Sequence, residues 1–499
     1  MTEDNHSSYS CLCPVHRDRR GFLQKAGLLA LAMSAASLLA LAPKAASAAA
    51  AGRPRLMPTT GNYIIRGAVV LTMDPAVPDL ASGDVHVRDG KIAAIGARID
   101  APGAEIIEAG NMIVAPGFIE THWHLWNSTL KNMLRPGVEY FPLKAAFVQH
   151  FKPTDHYVAN RLALTEAMNA GMTTVHNFCH NARSPAHVDA ELNALVESGL
   201  NARYSYGWID PIPDTKIMPA DDVRRVQREW FSSTATFPAH VDLGVAVRGP
   251  MYTKQDVYEP EIRTARAMGL PIVMHIGQTK RRYSSSAEML KLGLIEKQDI
   301  LVHGQTQSDA DLEAIKKSGA SVSLSMESEL RGQEDGDVRT AILKCMALKI
   351  NLCSSMDSSV FGVVSMFDNM RMVFNLAVPW RGTSTEKMPM VTQREVLEMV
   401  TINGARAMGI DAITGSLTPG KQADFILVRA DDLNMLPMGV PTTTVVHSAT
   451  VANVDTVAVR GNFMKFGGTL LHADVPTLKA QADRSLTDLR QRAGGKWLS

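Results

Sequence analysis

The chain is poor in cysteine and almost balanced in charge. The first feature argues against a disulfide-stabilised protein, and the second limits the kinds of ligand that the protein is expected to bind. Five cysteines occur in 499 residues. Cys11 and Cys13 lie near the N-terminus, and the remaining Cys179, Cys345 and Cys353 show no pattern that favours a disulfide framework. We expect Cys345 and Cys353 to be core thiols. Cys179 lies among histidines, and its role is left open. Lysine plus arginine number 51 against 50 for aspartate plus glutamate, so the charge favours a small neutral or weakly charged ligand over nucleic acid or an anionic membrane.

Several catalytic motifs are also missing from the sequence. There is no glycine loop that would cradle a phosphate, no Ser-x-x-Lys motif and no nucleophile elbow. The composition, with 45% hydrophobic and 20% charged residues, is that of a globular protein. A chain of this length is expected to form one large domain and a smaller one.

Residues 1–48 have the features of an export signal. They contain Arg19-Arg20-Gly-Phe-Leu, an apolar run from Ala26 to Ala42, and the A-x-A sequence Ala46-Ser-Ala48. This resembles a twin-arginine signal peptide, and the apolar run is short for a bilayer span. The resemblance implies a periplasmic or secreted protein with no stable membrane insertion after cleavage.

The pattern of apolar residues divides the remaining chain into four parts. Residues 49–113 alternate like short strands, with a hairpin signal at Asp89-Gly90. In residues 114–413 eight strand-like runs alternate with helical segments, which predicts a (β/α)8 TIM barrel with catalytic residues at the C-terminal ends of its strands. The strand pattern returns in residues 414–476. The predicted fold is therefore α/β, a TIM barrel inserted in a small β-sandwich domain formed by both chain ends, and residues 477–499 are expected to form an exposed helical tail.

Histidines and one aspartate follow the predicted barrel strands. His122 and His124 end the first strand, where residues i and i+2 point to the same face. His275 ends the fifth strand, His303 the sixth and Asp357 the eighth. Imidazoles combined with one carboxylate are the ligands of a catalytic divalent ion that keeps a position open for water. The sequence thus predicts a bound divalent metal ion, with Zn2+ as the first choice and Fe2+ as the second.

These motifs resemble the amidohydrolase superfamily, in the branch that holds cytosine-deaminase-like and triazine-hydrolase-like enzymes. The matching segments are Pro116–His124, Gly171–Val175, Asp299–Gly304 and Gly415–Asp424. The resemblance implies that His122, His124, His275 and Asp357 bind one metal, and that His303 polarises the substrate or the water. Two-metal relatives carry a carboxylated lysine after the fourth strand. Arg248 lies near that place here, so one metal is expected.

Two of these residues are the expected catalytic groups. A divalent metal lowers the pKa of a bound water towards roughly 7. Asp357 is placed to accept the proton of that water and to pass it to the leaving nitrogen. His303 is placed to hydrogen-bond the developing oxyanion.

Gln278 decides which reaction the sequence favours. Relatives that deaminate aromatic rings carry glutamate three residues after the fifth-strand histidine, whereas this chain reads His275-Ile-Gly-Gln278. An amide cannot transfer a proton, so the sequence favours hydrolysis of an amide, urea or carbamate-like C–N bond. Deamination of a purine-, pterin- or triazine-like ring is the alternative, with Glu327 or Glu329 as a source of the missing acid. A catalytically silent barrel that binds a small molecule is the alternative from another class.

Other residues near the predicted barrel mouth are candidates for substrate binding. They are Gln278, Trp126, His180, Arg248 and Glu327. His176 and Cys179 share the end of the second strand with His180, and hydrogen bonding is a better expectation for them than metal ligation. Two roles are open for the aromatic residues near the first strand: they form a surface that contacts the substrate, or they pack in the protein interior. These residues are Trp123, Trp126 and Tyr140. The expected partner is a small-molecule substrate. The sequence leaves open whether the chain forms a homo-oligomer.

Overall fold

A computed structural model describes residues 56–232, 240–277, 283–331, 336–378 and 391–495. The predicted export signal and Gln278 lie outside these ranges. Among the helices within them, none combines the length and the apolar character that a membrane crossing requires.

The described elements alternate between strands and helices through most of the chain. The strands are β1 (Asn62–Val70), β2 (Leu80–Arg88), β3 (Lys91–Gly96), β4 (Glu105–Glu108), β5 (Met112–Pro116), β6 (Phe118–Ile119), β7 (Met172–Cys179), β8 (Asn201–Tyr206), β9 (Val241–Val247), β10 (Ile272–Gly277), β11 (Ile300–His303), β12 (Ser321–Leu324), β13 (Leu352–Ser354), β14 (Phe425–Arg429), β15 (Val454–Val459), β16 (Asn462–Phe466) and β17 (Thr469–Leu470). The α-helices are α1 (Tyr140–Phe147), α2 (Pro153–Asn169), α3 (Pro185–Ser198), α4 (Asp221–Trp230), α5 (Gly249–Tyr252), α6 (Gln255–Ala267), α7 (Ser286–Lys291), α8 (Asp309–Ser318), α9 (Met326–Arg331), α10 (Val338–Leu348), α11 (Met366–Ala377), α12 (Gln393–Met399), α13 (Ile402–Ala407), α14 (Pro441–His447) and α15 (Val475–Arg492). Short 3-10 helices occupy Leu125–Leu130, Val148–His150, Leu433–Met435 and Val451–Asn453.

Eight parallel strands, β6 to β13, form the barrel in sequence order. Both faces of its strands are covered, as in β7, where every residue is buried, including the polar Thr173, Thr174, His176 and Asn177. The segments that follow the first and last strands meet at an isolated parallel bridge between Trp123 and Asp357. The predicted TIM-like barrel is confirmed, and its closing bridge brings the ends of β6 and β13 together.

The second sheet is built from both ends of the chain, as predicted. It has nine strands in the order β17-β16-β15-β14-β5-β1-β2-β3, with β4 added beside β1. Strand β14 joins the two halves by pairing antiparallel to β5. Three strands separate β1 from β16, yet the rings of Tyr63 and Phe463 are 5.1 Å apart. The sheet therefore curls around a second apolar core, which gives the small domain its sandwich character.

The hairpin signal at Asp89-Gly90 has a direct structural cause. Strands β2 and β3 pair antiparallel on either side of it. Both turn residues have positive φ, 52° for Asp89 and 76° for Gly90, which is the backbone that Asp-Gly supplies in a two-residue hairpin.

The C-terminal helix is mostly exposed and packs on the rest of the protein along one face, on which Leu478, Ser485 and Leu489 are buried. Helix α15 begins at Val475, and Leu489 near its end is fully buried against the apolar cluster that contains Trp126. Arg492 forms an ion pair with Asp155 of α2, whose other carboxylate oxygen accepts a hydrogen bond from Ser485. An amphipathic helix is thus present at the C-terminus, with its apolar stripe against the apolar cluster and its other face exposed.

Candidate metal centre

The five residues predicted for the metal site lie together at the C-terminal end of the barrel. His122 and His124 follow β6, His275 lies on β10, His303 is the last residue of β11, and Asp357 follows β13. None of them is more than 4% exposed. Two overlapping sets of possible ligand atoms, each within 4.8 Å, share His122: one adds His275 and His303, and the other adds His124 and Asp357.

The geometry around His122 is that of groups arranged about a common centre. Its ring centroid is 4.7 Å from that of His124 and 4.9 Å from that of His275. The Nε2 atoms of His122 and His124 lie 3.4 and 3.3 Å from Oδ1 of Asp357. The rings of His275 and His303 stack with centroids 5.2 Å apart.

The cluster fits a divalent metal because its buried nitrogens lack other partners. Neither ring nitrogen of His122 has a hydrogen-bond partner, nor do Nδ1 of His275 and Nε2 of His303. Buried polar atoms in native proteins normally have partners, so these atoms point to a missing ligand. His124 donates from Nδ1 to the carbonyl oxygen of Phe178 at 2.9 Å, which turns its Nε2 towards Asp357 and orients the ring as in known metal sites.

Burial sets the protonation of the cluster. It lowers the pKa of His122 to about 3, with the neighbouring His124 acting in the same direction, and it lowers the pKa of His275 well below the usual range. For Asp357, burial alone would raise the pKa, but the adjacent imidazoles of His122 and His124, whose Nε2 atoms lie 3.4 and 3.3 Å from Oδ1, outweigh it and hold the pKa well below the usual value. Neutral imidazoles and an ionised carboxylate are the forms that bind a metal.

A buried glutamate ties the two main ligand-bearing segments together. One carboxylate oxygen of Glu120 accepts the backbone N–H of His122 at 2.6 Å, and the other accepts that of Met356 at 2.9 Å. Backbone bonds add to this link, since Asp357 donates to the carbonyl of His122 at 2.9 Å. Asp357 and His303 both have positive φ, 58° and 65°, and strained backbone of this kind is concentrated at functional sites.

Glu329, not Glu327, contacts the site. The Nδ1–H of His303 donates to Oε1 of Glu329 at 3.2 Å, and Ser325 donates its backbone N–H to the same oxygen at 3.1 Å. Glu329 is fully buried. This bond leaves Nε2 of His303 facing the cluster as an acceptor when the ring is neutral. Glu327 lies against the loop that contains Gly362 and is half-buried, and its contacts do not support the predicted substrate role.

Aromatic side chains border the cluster on the side of strands β7 to β10. The ring centroids of His124 and His180 are 4.1 Å apart, those of His180 and Trp208 5.6 Å, those of Trp208 and Tyr252 6.0 Å, and those of Tyr252 and His275 5.6 Å. We call His180, Trp208 and Tyr252 the aromatic collar. His180 and Trp208 are only 4% and 6% exposed, so the collar packs closely against the metal cluster.

Two residues of the collar, Trp208 and Tyr252, were not among the site residues predicted from the sequence. Trp208 follows β8 by two residues, and Tyr252 ends the short helix α5 after β9. Aromatic residues just beyond the ends of barrel strands three and four were the available signal. Burial, then the carboxylates of Asp357 and Asp210, raise the pKa of the Tyr252 phenol, so both carboxylates lie around this ring.

Two other predicted substrate residues are engaged elsewhere. Trp126 is fully buried and donates from Nε1 to Nδ1 of His180 at 3.1 Å, so it supports the collar from behind. Arg248 is 2% exposed and pairs with Glu261 at 2.6 Å, and it also donates to the carbonyl oxygens of Pro213 and Lys216. The guanidinium holds the loop after β8 against α6 and does not support the predicted substrate role.

A second buried group of possible ligands, His156, Cys179 and Glu191, differs from the first. Nδ1 of His156 donates to Glu191 at 2.5 Å, the Cys179 thiol donates to the same oxygen at 3.3 Å, and Asn177 donates to the other oxygen at 2.7 Å. These polar atoms satisfy one another. The group therefore joins β7 to helices α2 and α3 by hydrogen bonds, which answers the open question about Cys179.

His176 is also held by hydrogen bonds, as expected. Its Nδ1 donates to the carbonyl oxygen of Thr121 at 2.9 Å, and its Nε2 accepts from Ser205 at 2.6 Å. No nitrogen of this ring is left to bind a metal.

Comparison with known proteins adds a family to this geometry. Residues 113–464 match the model of the amidohydrolase family. The chain is 23% identical over 425 residues to a 5-methylthioadenosine/S-adenosylhomocysteine deaminase of Pyrococcus furiosus, a match that covers 82% of this chain and 96% of that protein. It is 24% identical over 449 residues to a 5'-deoxyadenosine deaminase of Methanosarcina mazei, covering 86% and 99% of the two chains.

Solved structures share the fold. An adenosine deaminase of Xanthomonas campestris with bound zinc superposes with a TM-score of 0.72 at 20% identity, covering 87% of this chain and all of that one (100%). Atrazine chlorohydrolase of Arthrobacter aurescens in complex with zinc gives a TM-score of 0.72 at 18% identity, covering 85% and 100%.

Proposed function

The chain belongs to the amidohydrolase family and is an enzyme of carbon–nitrogen bonds, and from this premise we propose that it deaminates a purine-like or related heteroaromatic ring. The observation that carries the proposal is the aromatic collar, which adjoins the metal cluster at His124 and His275. The proposal places the substrate ring beside these aromatic side chains, with its amino-bearing carbon towards the metal. The curated relatives named above are nucleoside deaminases. The same premise counts against a catalytically silent binding barrel.

One metal held by His122, His124, His275 and Asp357 completes the proposed site. A divalent ion supplies water of lowered pKa, near 7, at neutral pH. Zinc is the ion we propose, because it occurs in structures of the same fold and favours imidazole and carboxylate ligands. The predicted twin-arginine export of the protein remains a proposal that rests on residues 1–48 alone.

Proton transfers fall to Asp357 and His303. Asp357 is ionised and adjoins the cluster, so its carboxylate can take the proton of the attacking water and return it to the departing amino group. The Nδ1–H group of His303 donates to Glu329, so the Nε2 atom of His303 faces the substrate ring in the proposed complex. In the protonated state Nε2 donates to a ring nitrogen, where charge develops as water adds to the carbon. The balance is one water consumed and one ammonia released, with an oxo group replacing the amino group.

The pair of His303 and Glu329 answers the objection raised by Gln278. The sequence favoured amide or urea hydrolysis because Gln278 cannot move a proton. Glu329 is a buried carboxylate in contact with a ring that faces the cluster, so a proton carrier is present without glutamate at position 278. Hydrolysis of an amide or urea stays as the second candidate, since an amide side chain at Gln278 suits a carbonyl group.

An ammonia assay tests the proposal. The zinc-loaded enzyme is incubated with adenosine, 5'-deoxyadenosine, an amino-substituted triazine, an N-acyl amine and an N-aryl urea, and both ammonia and free amine are measured. We expect ammonia from at least one ring substrate, and its loss in Asp357→Asn but not in the control Asp309→Asn, which alters an exposed carboxylate on α8. Amine release from the acyl or urea substrate, with no ammonia from any ring, would contradict deamination.

A further inference from the structure

A cleft of about 420 Å³ lies between the C-terminal helix and the barrel. Its walls come mainly from α15, from α2 and from the 3-10 helix Leu125–Leu130 with the two residues that follow it. Small-molecule sites in proteins commonly measure about 300–1,000 Å³. None of the expected metal ligands lines the cleft, so it is a cavity separate from the proposed catalytic centre.

Most of the surface of the cleft is apolar. Leucine side chains from both long helices line it, namely Leu162 of α2 and Leu478 and Leu486 of α15. An apolar ligand that displaces water from such a surface gains free energy through the hydrophobic effect. The cleft therefore favours a ligand with an apolar body.

Two buried oxygen atoms on residues of this wall lack a hydrogen-bond partner within the described part of the chain. They are Oγ1 of Thr129, a residue that is 4% exposed, and Oε2 of Glu166. The other carboxylate oxygen of Glu166 pairs with Lys131. Buried polar atoms in native proteins normally have partners, and an ionised carboxylate only accepts. A ligand in the cleft that carries a hydrogen-bond donor would satisfy them.

The charges around the cleft balance one another. Its lining contains two lysines and two carboxylates. Lys131 pairs with Glu166, and Lys479 and Asp483 lie one turn apart on α15. A charged ligand would lose its hydration here without meeting an excess of the opposite charge. An uncharged ligand is therefore favoured.

From these observations we propose that the cleft binds an uncharged, mainly apolar small molecule that carries a hydroxyl or N–H donor. The donor bonds to Glu166 or Thr129, and the apolar body contacts the leucines of α2 and α15. The site adjoins the metal-binding segment, because Thr129 belongs to the 3-10 helix that begins directly after His124. The inference goes beyond the proposed function, and its test requires no turnover.

A fluorescent probe tests whether the cleft binds such a molecule. N-phenyl-1-naphthylamine is an uncharged aromatic amine with one N–H group, and its emission rises in apolar surroundings. It is titrated into the zinc-loaded full chain, where we expect saturable binding. Ala482→Trp fills the cleft and should weaken probe binding at least about tenfold. Ala480→Trp is the matched control, because Ala480 is exposed on the same helix, about 200° around it from Ala482, and it should keep the wild-type affinity.

Displacement of the probe tests the class of ligand. 2-Naphthol and 2-naphthoate share one ring system, and only the second is charged at pH 7. We expect 2-naphthol to displace the probe at a concentration at least about tenfold lower. Thr129→Val should weaken 2-naphthol binding about three- to tenfold. Thr487→Val alters an exposed hydroxyl of α15 outside the cleft and should leave the binding of 2-naphthol unchanged.

The thermal midpoint and zinc content of every variant are compared with those of the wild type, so that loss of folding is recognised. A probe affinity that is the same in Ala482→Trp and the wild type would overturn the inference, as would a wild-type protein that does not bind the probe. Equal displacement by 2-naphthoate and 2-naphthol would overturn the assignment to an uncharged ligand. Failure of the ammonia assay would leave these results unaffected, because the two experiments measure different sites.

Discussion

Glu329→Gln is the substitution that isolates the proton-carrying role of His303. The change keeps the shape of a fully buried side chain and removes its charge. The Nδ1–H of His303 then meets a neutral amide in place of a carboxylate at 3.2 Å. The protonated form of His303 loses its buried counter-charge, and the preference for the tautomer with Nε2 as acceptor becomes weaker.

The magnitude follows from the single bond that changes. A hydrogen bond to a charged group contributes about 1.5–3 kcal/mol. Since about 1.36 kcal/mol corresponds to a tenfold change in rate, kcat should fall about 10- to 100-fold. Glu329 is not among the expected metal ligands, so the zinc content should remain that of the wild type.

The assay measures kcat, KM, zinc content and the pH dependence of kcat on the same preparations. Glu296→Gln is the matched control, because Glu296 precedes β11 at the opposite end of the barrel and pairs with Arg266. A Glu329→Gln enzyme with normal zinc and a kcat within twofold of the wild type would refute the role of the pair. Rescue of kcat by Glu329→Asp would separate loss of charge from loss of packing.

Three further predictions concern the cluster and its surroundings. Asp357→Asn should lower kcat by at least about 100-fold, as expected for loss of a general base; a variant with near-normal turnover would remove Asp357 from the mechanism. Gln278→Glu should raise ammonia release from amino-substituted rings relative to acyl hydrolysis, and an unchanged ratio would show that position 278 does not choose the reaction. The metal-free enzyme should lose stability as the pH falls below 6.5, because His122 titrates near 6.5 in the unfolded chain and at about 3 in the folded one. The unfolded state then binds more protons, which costs about 1.4 kcal/mol per pH unit for this group between those values; a urea midpoint that is flat from pH 7 to pH 5 would contradict it.

The barrel and the metal cluster were accessible from the sequence for a physical reason. Parallel strands buried on both faces leave continuous apolar runs, and parallel barrel strands place their C-terminal ends at one face. His122, His275, His303 and Asp357 each follow or end such a run. Because these residues all lie at or near the C-terminal ends of parallel barrel strands, they were expected to meet at one face of the barrel.

The sequence could not show which side chains on loops and helices contact the site, because their positions depend on how those loops and helices pack. Glu327 and Glu329 are two positions apart on α9, so they point about 200° apart around the helix, and only the packing of α9 decides which one meets His303. Arg248 lies beside the end of β9 in sequence, yet Glu261 from α6 takes its guanidinium. Trp208 reaches the collar through the path of the loop after β8.

In the proposed reaction, ring deamination requires one metal ion held by the histidine–aspartate cluster. Zinc titrated into the metal-free enzyme, with ammonia release from an amino-substituted purine followed at each addition, tests it most directly. We expect the rate to rise in proportion to zinc and to level off at one equivalent per chain. A plateau at two equivalents, or no ammonia at any zinc level, would contradict it.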